Sequence, residues 1–415
     1  MDSKVVDHLF RHQYGKMIAV LTSFFGLAHL ELIEDAVQDT FVKATLQWRN
    51  NIPENPEAWF IKAAKNRTID LLRKIKAEHI RSEKLAHGAA SIQLNELFLE
   101  HEIEDSQLRM IFVACHPELA PEEQIAFALK TISGFSMKEI AAALLLKEET
   151  IKKRLVRARK KIVQKSIDFE FPDAKALNLR LSKVLQVVYL IFNEGFHSAK
   201  REPLVDTHLC GESLRLCQLL LKKPMLRNGN SYALFALLCF HAARIESKVS
   251  SQQEIIDLEH QDRNLWHIPL IKMGNQAMMA AVSYPEKSSY TLEAAIAAEH
   301  LKAKDFKSTN WGQVLAYYTQ LQAIYPSNYN LLNMAIVHLQ LGEFEQAKQL
   351  LDAIPPAKLG QREYLLHGSF ADYHFKTGNS NAAIAALDQA IALSTNNSEK
   401  KYLQQKRILY TLNTK

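Results

Sequence analysis

The sequence predicts an all-α chain, and three observations carry that prediction. Glycine (13 of 415) and proline (12 of 415) each make up about 3%, below the usual roughly 7% and 5%, so helix breakers are scarce. Apolar residues recur at helical spacing: Ile151, Leu155, Ala158 and Ile162 fall at i, i+4, i+7 and i+11, one face of a helix. Near the C-terminus, small residues return at fixed offsets around glycines, as they do in repeated helical hairpins.

A chain of 415 residues exceeds one ordinary core, so two to four domains are expected. Hydrophobic residues (47%) and charged residues (23%) are in globular proportion. The longest apolar runs, such as Tyr232 to Phe240, fall far short of the ~20 residues of a spanning helix. The start, MDSKVVDHLF, lacks the basic opening and apolar core of a signal peptide. Cys115, Cys210, Cys217 and Cys239 have neither CxxC nor metal-ligand spacing and read as buried thiols. These features predict a cytoplasmic protein with no membrane contact and no cofactor or metal.

The first block is residues 1–76. Its acidic helix, Glu31 to Trp48, is followed by a polar loop, Arg49 to Asn55, and a basic helix from Pro56. Proline suits a first turn because its missing N–H would be unpaired there anyway. Residues 77–107 read as a linker, AEHIRSEKLAHGAAS and then a run with Glu96, Glu100, Glu102, Glu104 and Asp105. Residues 108–168 form a second compact block. There Ser136 and Glu139 have capping-box spacing, and after Leu144 and a short turn a helix runs from Glu149. Its face Ile151, Leu155, Ala158, Ile162 packs inward, while Lys152, Lys153, Val156, Arg157, Lys160 and Lys161 lie mostly elsewhere. A short helix, a tight turn and a second helix with a basic outer face describe a helix-turn-helix.

After Phe171-Pro172 the chain turns to long apolar helices: a middle block, 175–285, and a repeat block, 286–415. In the latter, Ala335, Gly342, Ala347 and Leu351 are echoed by Ala371, Gly378, Ala383 and Leu387, the glycines 36 apart. This is tetratricopeptide spacing, with Pro355-Pro356 taking up the extra length. Residues 290–326 are expected to form a third, degenerate hairpin with Trp311-Gly312 in its turn.

The net charge of +6 is concentrated. Residues 60–84 carry eight Lys/Arg against three acids, and residues 147–165 carry nine against two, so the remainder is acidic. Positive potential focused on two short helices is the electrostatic footprint of nucleic-acid contact.

The residues Pro121 to Ile162, with SMKEIAAALLLKEETIKKRLVRARKKI, resemble region 4 of extracytoplasmic-function sigma factors. The stretch Glu34 to Phe41, then Asn55 to Phe60 and Lys65 to Arg73, resembles their region 2. Val188 to Gly195 and Gln261 to Trp266 resemble the middle domain of the subgroup with a C-terminal tetratricopeptide extension. Leu145 replaces the turn glycine common in region 4, and His260 and His267 stand where acidic residues are expected.

That resemblance implies an architecture and roles. Residues 1–76 would be region 2, 77–107 a linker, 108–168 the helix-turn-helix of region 4, 175–285 a helical middle domain and 286–415 the repeats. Asp35, Gln38 and Asp39 would dock on the clamp of core RNA polymerase, region 4 on its flap, and Phe41 would pack inside. Trp48, Asn50, Asn51, Trp59, Asn66 and Arg67 would hold unstacked bases of the −10 element, with Lys62 and Lys65 on phosphates. Thr150, Lys152, Lys153 and Arg157 would face the −35 major groove, with Lys160 and Lys161 on backbone phosphates. Either tryptophan could equally be core. The extension would meet a protein partner or its own chain and regulate in cis.

No HExxH, GxxxxGK[ST], GxSxG or Cys/His cluster supports catalysis, and the chain is expected not to be an enzyme. His116 beside Cys115 reads as structural, and Asn193-Glu194-Gly195 as a turn or a small pocket. Three alternatives stand beside the resemblance: a helix-turn-helix regulator acting without polymerase, a tetratricopeptide adaptor, and an enzyme in residues 175–285.

Overall fold

A computed structural model describes residues 3–48, 52–79, 100–144, 146–196, 205–250, 254–285 and 288–412. Among them the regular elements are helices, apart from one isolated bridge between Val249 and Ile255. The all-α expectation therefore holds. No helix of the described residues is long and apolar enough to cross a membrane. The chain divides into two compact units, Met1–Leu190 and Ile191–Lys415.

The first unit opens with α1 (Ser3–Phe25), α2 (Leu30–Gln47) and α3 (Pro56–His79). Gly26, at φ 87°, ends α1 in a conformation that a side chain would strain. Asn55 caps α3 by accepting from the Ala58 N–H (3.0 Å), and Pro56 follows in the first turn as the sequence predicts. Ile33, Val37 and Phe41 of α2 are buried with Phe60 of α3. Fully burying a side chain of that size contributes about 1.5–3 kcal/mol, so this shared face fixes the α2–α3 geometry.

Four helices follow, α4 (Glu100–Ala114), α5 (Pro121–Thr131), α6 (Met137–Leu144) and α7 (Glu148–Gln164). Of the predicted linker 77–107, α3 takes in residues up to His79 and α4 those from Glu100, while 80–99 lie outside the described residues. In α4 the acidic residues Glu102, Glu104 and Asp105 are half-buried, and the mostly buried stretch runs from Ser106 to Cys115. The capping box is formed: Ser136 N–H donates to Glu139 (2.8 Å) and Glu139 N–H to the Ser136 hydroxyl (3.2 Å). Ile151, Leu155, Ala158 and Ile162 are buried together, as their spacing requires. His116 is structural, its ring accepting from the Glu118 N–H at 3.2 Å. Cys115, Cys210, Cys217 and Cys239 are all buried free thiols.

The next helix, α8 (Ala174–Phe196), contains the division between the units, and Arg180 near its start donates to the Phe112 carbonyl at 2.6 Å. Asn193-Glu194-Gly195 forms the last turn of this helix and not a connecting turn. A Cβ on Gly195 would meet Leu209 at 2.8 Å and the Asp206 carbonyl at 2.9 Å, so the glycine is there for close approach.

In the second unit, α9 (Thr207–Lys222), α10 (Gly229–Ala242), α11 (Ile245–Lys248) and α12 (Ile268–Val282) form the middle domain. Most of α10 is buried, which explains its lack of a polar face. The hairpins are α13 (Ser289–Lys302) with α14 (Trp311–Ile324), α15 (Asn328–Leu341) with α16 (Phe344–Asp352), and α17 (Tyr364–Lys376) with α18 (Ser380–Leu393), before a last helix α19 (Asn397–Leu412). Gly342 (φ 76°) and Gly378 (φ 82°) close two of them in the left-handed region. Ala335, Ala347, Leu351, Ala371, Ala383 and Leu387 are fully buried between the paired helices. The third hairpin exists, but Trp311-Gly312 is not its turn. Asn310 caps α14 through the Gln313 N–H (3.1 Å), so Trp311 opens the helix.

Candidate nucleic-acid interface

On α2, Asp35, Gln38 and Asp39 lie at i, i+3 and i+4 and are all exposed. Burial, then the neighbouring Glu31 and Asp39, raise the Asp35 carboxyl above its usual range. A face that crowds its own carboxylates is suited to a cationic partner. Asp39 accepts two hydrogen bonds from Arg67 on α3, at 3.0 and 2.6 Å. The sequence reading assigned these two residues to different partners, and the fold joins them.

Between α2 and α3 runs an open groove lined by Val42, Lys43, Leu46, Trp59, Lys62, Asn66 and Arg67. Four of the predicted −10 residues (Trp59, Lys62, Asn66 and Arg67) thus share one surface. Val42 and Leu46 were missed, although they are 61% and 58% exposed on the opposite wall. The sequence carried the signal: they stand at i and i+4, away from the Ile33, Val37, Phe41 face.

Two predicted residues are corrected here. Trp48 is 4% exposed and packs edge-on against Trp59 (5.2 Å) and Phe60 (4.9 Å), so it belongs to the core. Trp59, half-buried, keeps a face toward the groove. Lys65 is buried with Ala64 and Thr68 on the inner side of α3, where desolvation lowers its ammonium. It is not placed for phosphate contact. Asn50 and Asn51 lie outside the described residues.

On α7, Lys152, Lys153, Arg157 and Lys160 are exposed and Thr150 is half-buried, with Val156 between them at 53% exposure. Lys153 sits 3.8 Å from Glu149 one turn back. Among the described residues, Lys152, Arg157 and Lys160 make no ion pair. Lys161 is different: it donates to the buried Glu123 of α5 at 2.7 Å. Against the effect of burial, the bonds from Lys161 and the Ala120 N–H hold that carboxyl below its usual range. Lys161 is therefore a strut that seats α7 on α5. The opposite side of α7 carries Arg159, which donates to Glu34 of α2. The sequence reading missed this pair, which brings the helix-turn-helix against the first module.

Comparison with known proteins follows this division. Sigma-70 region 2 matches residues 9–78, and sigma-70 region 4 matches residues 109–162. Residues 180–282 match a family of unknown function (DUF6596), and residues 301–367 match a tetratricopeptide repeat. An uncharacterized protein of Rhizobium meliloti (strain 1021) is 32% identical over 383 residues, covering 91% of this chain and 89% of that one. The ECF RNA polymerase sigma factor SigE of Mycolicibacterium smegmatis is 30% identical over 156 residues, which is 38% of this chain and 59% of that protein.

Proposed function

The chain belongs to the extracytoplasmic-function sigma factors with a C-terminal tetratricopeptide extension, and we propose that it directs core RNA polymerase to promoters by reading their −10 and −35 elements. Its role is in transcription initiation; phosphodiester synthesis belongs to the polymerase, in the cytoplasm where both would act. The observation that carries the reading is the outer face of α7, where Lys152, Arg157 and Lys160 stand exposed and unpaired among the described residues. Thr150, Lys152, Lys153 and Arg157 would face base edges, while Lys160 would hold phosphate. The α2–α3 groove would take the displaced strand, with a base on Trp59 and polar contacts from Asn66, Lys62 and Arg67. Asp35, Gln38 and Asp39 would meet the clamp, and residues 108–168 the flap.

The test is transcription reconstituted from this protein and purified core polymerase, with start sites mapped. Accurate starts at a cognate promoter are expected, and Trp59→Ala should weaken opening by about 1–3 kcal/mol, the worth of one stacked base. A tight promoter complex formed equally well without core would instead favour a regulator independent of polymerase.

The remaining 225 residues would regulate in cis. This rests on the fusion itself and on the partner-binding habit of tetratricopeptide hairpins. Since Arg180 of α8 bonds within the first unit, truncation belongs after Leu190 and not at Phe171-Pro172. Transcription from the truncated chain that matches the full chain in level and in regulation would discard this part.

A further inference from the structure

The middle domain holds a cluster of cationic side chains. His241 at the end of α10 has its Nδ1 3.4 Å from the Arg244 guanidinium. Its ring lies tilted against Phe196 at 5.0 Å, and the same Phe196 carries the Lys248 ammonium 3.7 Å above its ring and accepts from it through the backbone carbonyl. From the other side comes Arg263, 4.4 Å over Trp266, whose indole donates to Ser247 on α11 at 2.9 Å. Arg263 Nη1 is spent on the His300 and Ala303 carbonyls, both at 2.7 Å.

Among the described residues Arg244, Lys248 and Arg263 form no ion pair. Asp305, the carboxylate that Arg263 feels, is exposed and accepts from the Ser308 N–H at 2.8 Å. Burial, and then Arg263, pull Arg244 down to about 10. Burial, and then Arg244, pull Lys248 to about 7 and His300 to about 4. Two side-chain nitrogens here are shut off from water without a partner among the described residues, Arg263 Nη2 and His300 Nδ1. Like charges gathered in a low-dielectric site raise the energy of the fold unless a counterion joins them, and buried donors are otherwise almost always bonded.

We propose that the second unit binds a small dianionic oxyanion of the phosphate or phosphomonoester class between Arg244, Lys248, Arg263 and His300. Two guanidiniums match tetrahedral oxyanions with paired N–H donors, and they demand more than one negative charge for balance. The Trp266 ring and the two carbonyls on Nη1 hold the Arg263 fork in place, leaving Nη2 for the ligand. His300, neutral at physiological pH, adds a donor without adding to the repulsion. The ligand site does not depend on the promoter reading, because binding alone tests it.

The experiment is calorimetric titration of the full chain with inorganic phosphate, glycerol phosphate and acetate at constant ionic strength, together with unfolding midpoints. Saturable binding of either phosphate, with acetate inert, is expected; the two phosphates decide whether the free ion or an ester is preferred. Arg244→Gln should weaken that binding at least about tenfold, the loss of a charge-assisted pair. It should leave the ligand-free midpoint unchanged or raised, since it removes an unbalanced buried charge. Three outcomes overturn the proposal: phosphate no better than acetate, equal binding by Arg244→Gln, or a variant that unfolds more easily without ligand. The last would mean that the chain itself already neutralises Arg244.

Discussion

Glu34 and Arg159 lie 125 residues apart in sequence and meet in a pair whose carboxylate is 4% exposed. Burial is the strongest influence on Glu34 and raises its carboxyl, while Arg159 and Lys130 pull the other way. Its native value thus lies above the roughly 4.3 of an unfolded chain, and the folded state holds the proton more tightly. The stability this group contributes is full below that unfolded value and is lost as pH rises through the raised native one. Glu34→Gln, neutral at every pH, should remove that slope while keeping an acceptor for Arg159. Urea midpoints of parent and variant, followed from pH 4 to 7, should converge at the acid end and part as pH rises. Parallel curves would refute this account. The same scale shows why Trp48 and Lys65 were misread. Residue type suggested DNA contact for both, but burial depends on helix phase. Lys65 stands i−3 from the buried Thr68, and Trp48 follows directly on the buried face of α2.

At the scale of elements, α7 was legible because its apolar period and its charges agree. Spacing alone identified its buried stripe and its start after a short turn. What spacing does not encode is which basic residues find acids on other helices. Lys161 resembles Lys160 in sequence, yet only Lys161 meets Glu123. The difference is measurable through salt. Each phosphate neutralised on duplex DNA contributes about 0.9 to the slope of log affinity against log salt. Lys160→Gln should therefore lower that slope by about 0.9 in the polymerase-bound protein. Lys161→Gln should leave it unchanged and loosen α7 instead. Equal slope changes for Lys160→Gln and Lys161→Gln would show that the strut is not maintained on DNA. The helix α4 was illegible for a related reason: its acidic first half has no apolar stripe, so only the later buried residues declare it.

At the largest scale, the first unit holds the region 2 and region 4 modules in contact, which neither module's sequence could disclose. Gly15 of α1 sits so close to α5 that a Cβ there would lie 1.8 Å from the Ile132 carbonyl oxygen. Lys130 stands 5.1 Å over the Tyr14 ring, and Glu34 closes on Arg159 beside them. Elements at −10 and −35 are roughly 25 base pairs apart, about 85 Å of duplex at 3.4 Å per step. Modules joined by such contacts do not reach across that distance. Promoter engagement by the proposed route thus requires these contacts to break, and their strength reduces the binding-competent fraction. Gly15→Ala should cost the packed unit about 1–3 kcal/mol, as other overpacked sites do. With fluorophores on Asn66→Cys and Lys160→Cys, the mean separation should increase in the variant. The native thiols stay silent there, being no more than 2% exposed. Transcription at limiting protein should rise, because the variant no longer has to break the α1–α5 contact first. An unchanged label separation, or transcription that falls in step with stability, would show that these modules work without parting.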